Sequence, residues 1–266
     1  MTDSQKTAIR QYELIQKMRA PRNSVVDDHG VGRTDNKSKD PNTMAFQVLV
    51  SLILSVQSND LITDRIMARL LAEKGSVTIE KYAKMTAEEL EKKIKDMNFY
   101  RKKSVYITLA VQNILENHDG IVPSDFDEIV KMKGVGPKIA HILLSCAFGR
   151  TEGIAVDTHV HRISNILKWV DTKTPEKTMV GLHKVFPEEY WDGFNVMIVG
   201  FGQSICSARN PDCARCLLNN ECPVGKINMK APKGKGKKGK GKKGKKEKSE
   251  SESELESESE SESESE

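Results

Sequence analysis

Apolar residues recur along the chain at helical spacing, and polar residues interrupt them at the same interval. The segment Met44–Gln57 is apolar on nearly every side, and its polar residues Gln47, Ser51 and Ser55 follow one another in steps of four. This pattern predicts a buried helix with one narrow polar stripe. No segment shows a convincing two-residue alternation of the kind that marks half-buried strands. The sequence therefore predicts an all-α fold.

Further helices are indicated by capping residues and by apolar spacing. Thr86 with Glu89 has the pattern of a capping box, and Thr174 followed by Pro175 places a cap before a first-turn proline. The other predicted helices are marked by these sets: Ile62, Ile66 and Leu70; Leu90, Ile94 and Met97; Val105, Leu109 and Leu115; Phe126, Ile129 and Val130 behind a Ser124 cap; Trp191, Phe194, Ile198 and Phe201. The body of the chain is therefore predicted to be helical throughout.

The composition changes abruptly near the C-terminus. Residues 230–248 are a run of lysine and glycine, and residues 249–266 repeat serine and glutamate. Because such segments have little apolar surface to bury, we expect residues 227–266 to be disordered. Residues 226–266 hold 12 lysines and 10 glutamates, so the body carries +2 of the net charge of +4. Any affinity of the body for nucleic acid must therefore come from the placement of its charges.

The chain carries no pattern of export or membrane insertion. Its longest apolar run is too short and too polar to cross a bilayer, and its N-terminus has no apolar signal-peptide core. We therefore expect no membrane partner. The lysine cluster at 237–248 indicates a nuclear protein, and basic residues near the N-terminus leave a mitochondrial share open.

A glycine-rich turn joins two of the predicted helices. In KMKGVGPK, residues 131–138, Gly134 and Gly136 allow a sharp turn, and Pro137 suits the first turn of the next helix. The backbone N–H groups at Gly134, Val135 and Gly136 could bind a DNA phosphate without reading the base sequence, as in a helix–hairpin–helix motif. The alternative is an ordinary turn between two helices.

Lys138 and Asp157 are the candidates for chemistry. Lys138 opens the helix after the glycine turn, where the positive end of the helix dipole disfavours an ammonium and favours a nucleophilic amine. Asp157 precedes THVHR, which has the pattern of a helix start, so its alternative role is that of an N-cap. We assign the nearby His159 and His161 to structure or backbone contact, not to metal binding.

Four of the five cysteines lie within seventeen residues. Cys206, Cys213, Cys216 and Cys222 are dense enough to form one metal site, and their thiolates suit zinc or an iron–sulfur cluster. Spacing alone does not choose between the two, and zinc is the commoner structural metal. The fifth, Cys146, lies in the apolar segment HILLSCAFG and is expected to be a buried core thiol.

Basic and polar residues outside these motifs are candidate contacts to DNA. Arg101, Lys102 and Lys103 follow two aromatic residues in a predicted loop before a helix, and Arg209 and Arg215 lie inside the cysteine loops. Gln57 ends the predicted buried helix, where a polar side chain could point into a cleft. The alternative for the run of residues 101–103 is a solvated charged face.

Together these motifs resemble the endonuclease III family of DNA glycosylases. The resemblance covers roughly residues 40–225, and it rests on LSVQSND at 54–60, KGVGPK at 133–138, AVDTHVHR at 155–162 and the four clustered cysteines. The cysteine pattern is its most specific part. Three positions depart from the pattern expected for the family: Asn59, Pro137 and Ile139.

The resemblance implies a fold and a set of residue roles. The family folds as two helical domains with a DNA cleft between them. By resemblance, residues 40–150 form a six-helix domain with the hairpin, and residues 1–39 with 151–226 form a cluster domain. The four clustered cysteines would hold a [4Fe-4S] cluster, and Lys138 would be the catalytic nucleophile assisted by Asp157.

The activity implied by the resemblance is that of a bifunctional DNA glycosylase and AP lyase. Such an enzyme removes oxidised pyrimidines through a lysine Schiff base and cuts the strand by β-elimination. The expected partner is double-stranded DNA with damaged bases or abasic sites, bound by a monomer, with Gln57 filling the space of the flipped nucleotide. Alternatives are a mismatch-specific relative, a non-catalytic DNA-binding relative and a zinc-binding helical adaptor. Lys138 argues against the first of these, and the intact Lys138–Asp157 pair against the second.

Overall fold

The computed structural model describes residues 1–31, 38–73 and 77–230, and these ranges are helical and contain no β-strand. The α-helices in chain order are α1 (Asp3–Met18), α2 (Val25–His29), α3 (Pro41–Ser55), α4 (Asp60–Ala72), α5 (Ile79–Tyr82), α6 (Ala87–Ile94), α7 (Tyr100–Asn117), α8 (Phe126–Lys131), α9 (Pro137–Phe148), α10 (Thr158–Ile166), α11 (Pro175–Val185), α12 (Phe194–Ser204) and α13 (Pro223–Lys230). A short 3₁₀ helix, Glu188–Tyr190, precedes α12. The all-α prediction is confirmed.

Two hydrophobic cores lie within the compact unit Met1–Ala231. The first is built from residues 45–144, where α3 packs against α4, α7 and α9. The second is built from α1 and from residues 154–222, and in it the Tyr12 ring stacks on the Phe194 ring at 4.8 Å. Both cores fall inside the predicted domain boundaries, and the division into two domains stays a prediction.

The central helix of the first core is α3. Asp40 caps it by accepting the Thr43 N–H at 2.7 Å, and Pro41 takes the first helical position. Gln47, the first residue of the predicted polar stripe, is buried with its apolar neighbours. The all-round apolar pattern is therefore explained by burial on every side, although α3 ends at Ser55, earlier than expected.

Helix α2 connects the two cores through hydrogen bonds. The Val26 N–H donates to Gln203 Oε1 at 2.9 Å, and Gln203 Nε2 donates to Asp60 Oδ2 at 3.0 Å. His29 Nδ1 lies 2.8 Å from Asp64 Oδ2. The first turns of α4 are therefore linked to the second core by polar contacts.

Two details of the predicted helices differ in the structure. Asp125, not Ser124, caps α8, because its carboxylate accepts the Glu128 N–H at 3.1 Å. The apolar residues that marked α7, namely Val105, Leu109 and Leu115, lie on its exposed face. The buried face of α7 carries Ile107, Val111 and Ile114.

The end of the described chain differs from the predicted start of the tail. Residues 227–230 were expected to be disordered and instead continue α13, in which Val224 packs against the second core and Gly225 lies against Asn219. The predicted disorder of residues 231–266 lies outside the described residues. Within the described ranges, none of the helices combines the length and apolar character needed to cross a membrane.

Candidate active site

The glycine turn between α8 and α9 has the geometry that the sequence predicted. The Val135 N–H donates to the Met132 carbonyl at 3.0 Å, and α9 begins at Pro137. Gly134 has a φ of +82°, and a Cβ atom added there would lie 2.4 Å from the Tyr106 ring. Neither the backbone conformation nor the space therefore admits a side chain at Gly134.

The N-terminus of α9 is open. Gly136 is its N-cap residue, so no side chain caps the helix, and a Cβ atom added at Gly136 would meet no atom within 4 Å. The first N–H groups of a helix have no partner within the helix and carry its positive dipole end. This helix start can therefore bind an anion such as a phosphate.

Lys138 is the second residue of α9 and is half-buried. Among the described residues its amine has no hydrogen-bond or ion-pair partner. The amine is therefore available to react with a substrate bound at the open helix start.

Asp157 lies at the N-terminus of α10, where it is the N-cap residue and is half-buried. Its Oδ1 accepts the Val160 N–H at 2.8 Å. The capping role that the sequence left open is therefore present in the structure. Within the described part of the chain, the second carboxylate oxygen has no hydrogen-bond partner, so it can act on a substrate while Oδ1 holds the helix.

His141 connects α9 to the segment that leads to Asp157. Its ring occupies the space beside Gly153, where an added Cβ atom would lie 2.4 Å from the imidazole. The next residue, Ile154, donates its N–H to His183 Nε2 at 2.9 Å, and the two histidine rings are 6.2 Å apart. Burial, with the charge of His183 as a smaller cause, lowers the pKa of His141 to about 4. A neutral, close-packed imidazole therefore sets the position of the Asp157 segment against α9.

Gln57 and Phe99 are exposed residues in the left-handed conformation at the ends of two helices of the first core, a conformation that Arg22, Asp119 and Lys168 share. Gln57, with a φ of +49°, follows α3, and Phe99, with a φ of +56°, precedes α7. The Phe99 side chain is 54% exposed. Non-glycine residues with positive φ are uncommon and concentrate at functional sites. Sequence reasoning treated Phe99 only as a neighbour of the basic run. Its place in the aromatic pair just before that run was the signal that could have identified it.

The basic run after Phe99 lies in a helix, which corrects the predicted loop. Arg101 and Lys102 are exposed in the first turn of α7. The helix begins this early because the Lys103 N–H donates to the Phe99 carbonyl at 3.0 Å. Lys103, predicted as the third residue of this basic surface, does not belong to it, because it is only 3% exposed and its Nζ donates to the Leu54 carbonyl at 2.8 Å.

The four clustered cysteines line one pocket of about 390 Å³, a volume that includes open solvent. Burial, reinforced by the neighbouring thiolate charges, raises the pKa of Cys216 to about 11 and also raises the pKa of Cys206. A cationic metal–sulfur centre would offset this cost, so the thiol set fits such a group. No three His, Cys, Asp or Glu side chains of the described ranges are arranged as ligands of a single metal ion. Cys146, expected to be buried, is half-buried against the first core.

Two side chains that sequence reasoning missed donate towards the cysteine sulfurs. Arg162 donates from Nη2 to the Cys206 carbonyl at 2.6 Å, and its Nη1 lies 3.8 Å from Cys206 Sγ. Asn228 Nδ2 lies 3.3 Å from Cys213 Sγ. Such donors stabilise thiolates and orient metal ligands. Arg162 follows the histidines of the Asp157 motif, so its place in that motif was the available signal.

The sequence matches the model of the HhH-GPD superfamily base excision DNA repair proteins over residues 50–188. Endonuclease III-like protein 1 of Gallus gallus is 40% identical over 219 residues, which cover 82% of this chain and 77% of that protein. Endonuclease III of Thermotoga maritima is 39% identical over 188 residues, which cover 71% of this chain and 85% of that protein. The chain belongs to the endonuclease III family.

The fold of a solved endonuclease III agrees with this membership. The structure of a trapped endonuclease III–DNA covalent intermediate, an estranged-adenine complex, is similar to this chain with a TM-score of 0.72 and 28% identity. The match covers 86% of this chain and all of that chain. As an endonuclease III family member, the protein is a DNA glycosylase and AP lyase of base excision repair, as the motifs predicted.

The three departures from the endonuclease III pattern have structural roles. Pro137 takes the first position of α9, and Ile139 is buried in the first core. Asn59 caps α4 by accepting the Leu61 N–H at 2.9 Å. These residues stabilise helices next to the candidate site and leave Lys138 in place.

The two arginines of the cysteine loops are both exposed. Arg215 donates from Nε to Asp212 Oδ2 at 2.6 Å, so part of its charge is offset locally. Arg209 makes no such pair among the described residues. The predicted use of Arg209 and Arg215 in DNA binding by this endonuclease III relative stays a prediction.

Proposed function

We propose that this chain removes oxidised pyrimidines from double-stranded DNA with Lys138 as its nucleophile, and then cuts the strand. The observation that carries the proposal is the half-buried, unpartnered Lys138 at the open N-terminus of α9. A DNA phosphate bound at this helix start would bring the adjoining sugar towards the amine. The similar endonuclease III–DNA covalent intermediate supports both a DNA partner and a covalent step.

The chemistry starts with a nucleotide that is rotated out of the duplex. The neutral amine of Lys138 attacks C1′ of its sugar, so that a C1′–N bond forms while the bond to the base breaks and the base takes the electron pair. The sugar ring opens to an imine. Loss of a C2′ proton then breaks the C3′–O bond and expels the 3′ phosphate, which cuts the strand.

Asp157 assists this reaction in the proposal. Its free carboxylate oxygen accepts a proton from the attacking amine or stabilises positive charge that develops on the sugar. The hydrogen bond from the Val160 N–H to the other oxygen fixes the carboxylate in place. The helix cap thus serves as the support of an acid–base group.

The proposed DNA contacts come from the glycine turn, from two exposed residues at helix ends and from the basic side chains. The backbone N–H groups at Gly134 and Gly136 bind a phosphate beside Val135, whose own N–H already donates to the Met132 carbonyl. Gln57 fills the space of the flipped nucleotide. Exposed apolar side chains can enter between base steps, which gives a role to the exposed Phe99. The remaining proposed phosphate contacts are Arg101, Lys102, Arg209 and Arg215.

We infer that Cys206, Cys213, Cys216 and Cys222 hold a [4Fe-4S] cluster. When bound, the cluster supplies a rigid anchor for the loops that carry Arg209 and Arg215. Purified protein should absorb broadly near about 400 nm and contain iron. Cys213→Ala should lower the absorbance, the solubility and the DNA affinity together. Zinc without iron in the metal analysis would contradict the assignment.

The proposal includes a monomer that works in the nucleus. The lysine cluster at 237–248 supports nuclear targeting. A fluorescently tagged full chain should accumulate in nuclei, and replacing these lysines by glutamine should abolish the accumulation. A mitochondrial fraction that survives the replacement would identify a second compartment.

Borohydride trapping tests the nucleophile. Reduction during turnover should convert the imine into a stable protein–DNA adduct, and Lys138→Gln should abolish trapping and strand cutting while DNA binding persists, because the hairpin N–H groups remain. Lys133→Gln is the matched control, since Lys133 is an exposed lysine of the same turn. A wild-type rate of adduct formation by Lys138→Gln would show that another amine performs the chemistry.

The substrate class is tested separately on a panel of duplexes. Each duplex carries one oxidised pyrimidine, and a thymine mismatch duplex represents the mismatch-specific alternative. Excision of oxidised pyrimidines followed by strand cutting is the expected result. Selective excision of the mismatched thymine without cutting would favour the alternative.

A further inference from the structure

We propose that Lys103 is a positioning residue for nucleotide extrusion, because it ties the turn that carries Gln57 to the helix start that carries Phe99. The proposal rests on the proposed function, in which Gln57 and Phe99 enter the duplex at the extruded nucleotide. Lys103 does not touch the reacting atoms. It acts by fixing the distance between these two exposed side chains.

The geometry places Lys103 between both turns. Its backbone N–H donates to the Phe99 carbonyl at 3.0 Å, and its Nζ donates to the Leu54 carbonyl at 2.8 Å. Leu54 belongs to the last turn of α3, and Gln57 follows only three residues later. Lys103 is thus hydrogen-bonded next to both left-handed residues. Its Nζ holds the end of α3 just before Gln57, and its backbone N–H holds Phe99.

The chemistry of the contact indicates more than packing. A buried ammonium is costly to desolvate unless it is paired, and here a backbone carbonyl is its hydrogen-bond partner among the described residues. Burial accordingly lowers the pKa of Lys103 to about 8. Methionine would fill a similar space without this cost. The charge therefore serves a purpose other than filling the core.

The ammonium of Lys103 is needed at the C-terminus of α3, which is the negative end of the helix dipole. The last carbonyl groups of a helix lack partners within the helix, and a cation placed there stabilises the helix end. Lys103 satisfies the Leu54 carbonyl from outside α3, and the chain leaves the helix through Val56 into the left-handed residue Gln57. Loss of the ammonium would leave the turn held by the Ser58 N–H, which donates to the Ser55 carbonyl at 3.1 Å, and would remove its tie to α7, while the apolar contacts of α3 with α7 persist.

The experiment separates extrusion from chemistry by changing the substrate. Lys103→Met should lower the single-turnover rate of base excision from a damaged duplex by about 10²-fold, the size expected when reacting groups are misplaced by about 1 Å. Borohydride trapping on single-stranded abasic DNA needs Lys138 but no extrusion, so its rate should stay close to that of the wild type. Because Arg101 and Lys102 are unchanged, the loss should appear in the rate and not in DNA affinity.

The controls distinguish the possible failures. Thr178→Val removes a buried hydroxyl of the second core that lies 3.1 Å from the Thr174 carbonyl and 2.6 Å from both His161 Nδ1 and Thr172 Oγ1. This change should leave the ratio of the two rates unaltered. If Lys103→Met folds poorly, Lys103→Arg keeps the charge and should show a smaller loss that is again confined to the duplex substrate. An equal loss on both substrates, or no loss on either, overturns the positioning role. A wild-type protein that fails to trap abasic DNA would instead overturn the proposed function.

Discussion

Helices α9 and α10 begin in opposite ways, although each carries one of the two residues proposed to catalyse. At α9 the N-cap is Gly136, and no side chain closes the helix start. A Cβ atom added at Gly136 would meet no other atom within 4 Å. At α10 the N-cap is Asp157, whose carboxylate closes the helix start by accepting the Val160 N–H. The open start can bind a substrate anion, whereas the closed start uses its N–H group to hold an acidic side chain in place.

This difference explains why the same structural feature gives two functions. A helix N-terminus favours negative charge in both cases. In the proposal, a DNA phosphate supplies the negative charge at α9, whereas the Asp157 carboxylate supplies it at α10. A substitution at the start of α9 should therefore affect substrate binding, whereas a substitution at the start of α10 should affect acid–base chemistry.

The largest expected effect comes from Asp157→Asn, which keeps the cap and removes the carboxylate. Asparagine caps helices well, so the melting temperature should stay near that of the wild type. The excision rate should fall by a factor on the order of 10² or more, the usual size of a lost acid–base group. Wild-type activity of Asp157→Asn would show that Asp157 is a cap alone, and the comparison of the two helix starts would then lose its catalytic meaning.

A smaller effect is expected from the two glycines of the open start, which differ sharply from each other. Gly134→Ala forces a side chain into a left-handed residue and against the Tyr106 ring, which should destabilise the protein by about 1–3 kcal/mol. Gly136→Ala meets neither obstacle, so it should lose much less stability, and only because alanine is a weaker N-cap than glycine. DNA affinity should nevertheless fall for Gly136→Ala, because the new methyl group occupies the space proposed for the phosphate. Unchanged affinity would place the phosphate elsewhere.

Much of this arrangement could be predicted from local sequence patterns. The turn at Gly134, the first-turn Pro137 and the capping pattern at Asp157 each depend on a few neighbouring residues, and the structure has all three. The burial of α3 also followed from its apolar pattern, because a helix that is apolar all round has no side to expose. Local conformational rules were sufficient for these elements.

The remaining features depend on contacts between residues far apart in the chain. The burial of Lys103 requires the end of α3, which lies 49 residues earlier, and no local pattern distinguishes it from the exposed Arg101 and Lys102. Val105 marked α7 from its exposed side, since apolar spacing indicates a helix without saying which face a neighbour covers. The packing of His141 could likewise not be predicted from local sequence, because it depends on Gly153 and His183.

The smallest expected effect concerns His141, which links the two helix starts through Gly153. Its pKa is about 4 in the folded protein, whereas an unfolded chain has a histidine pKa of about 6.5. Between these values the unfolded state binds a proton that the folded state does not bind, so stability is lost as the pH falls below about 6.5. Unfolding by urea at pH 7.5 and 5.5 should therefore show a loss of about 1 kcal/mol that His141→Asn does not share. His183, whose pKa burial also lowers, is present in both proteins, so the difference between them reports His141 together with its coupling to His183. Equal pH dependence of the two proteins would mean that the ring takes up protons in place, and that the link between α9 and the Asp157 segment does not depend on a neutral imidazole.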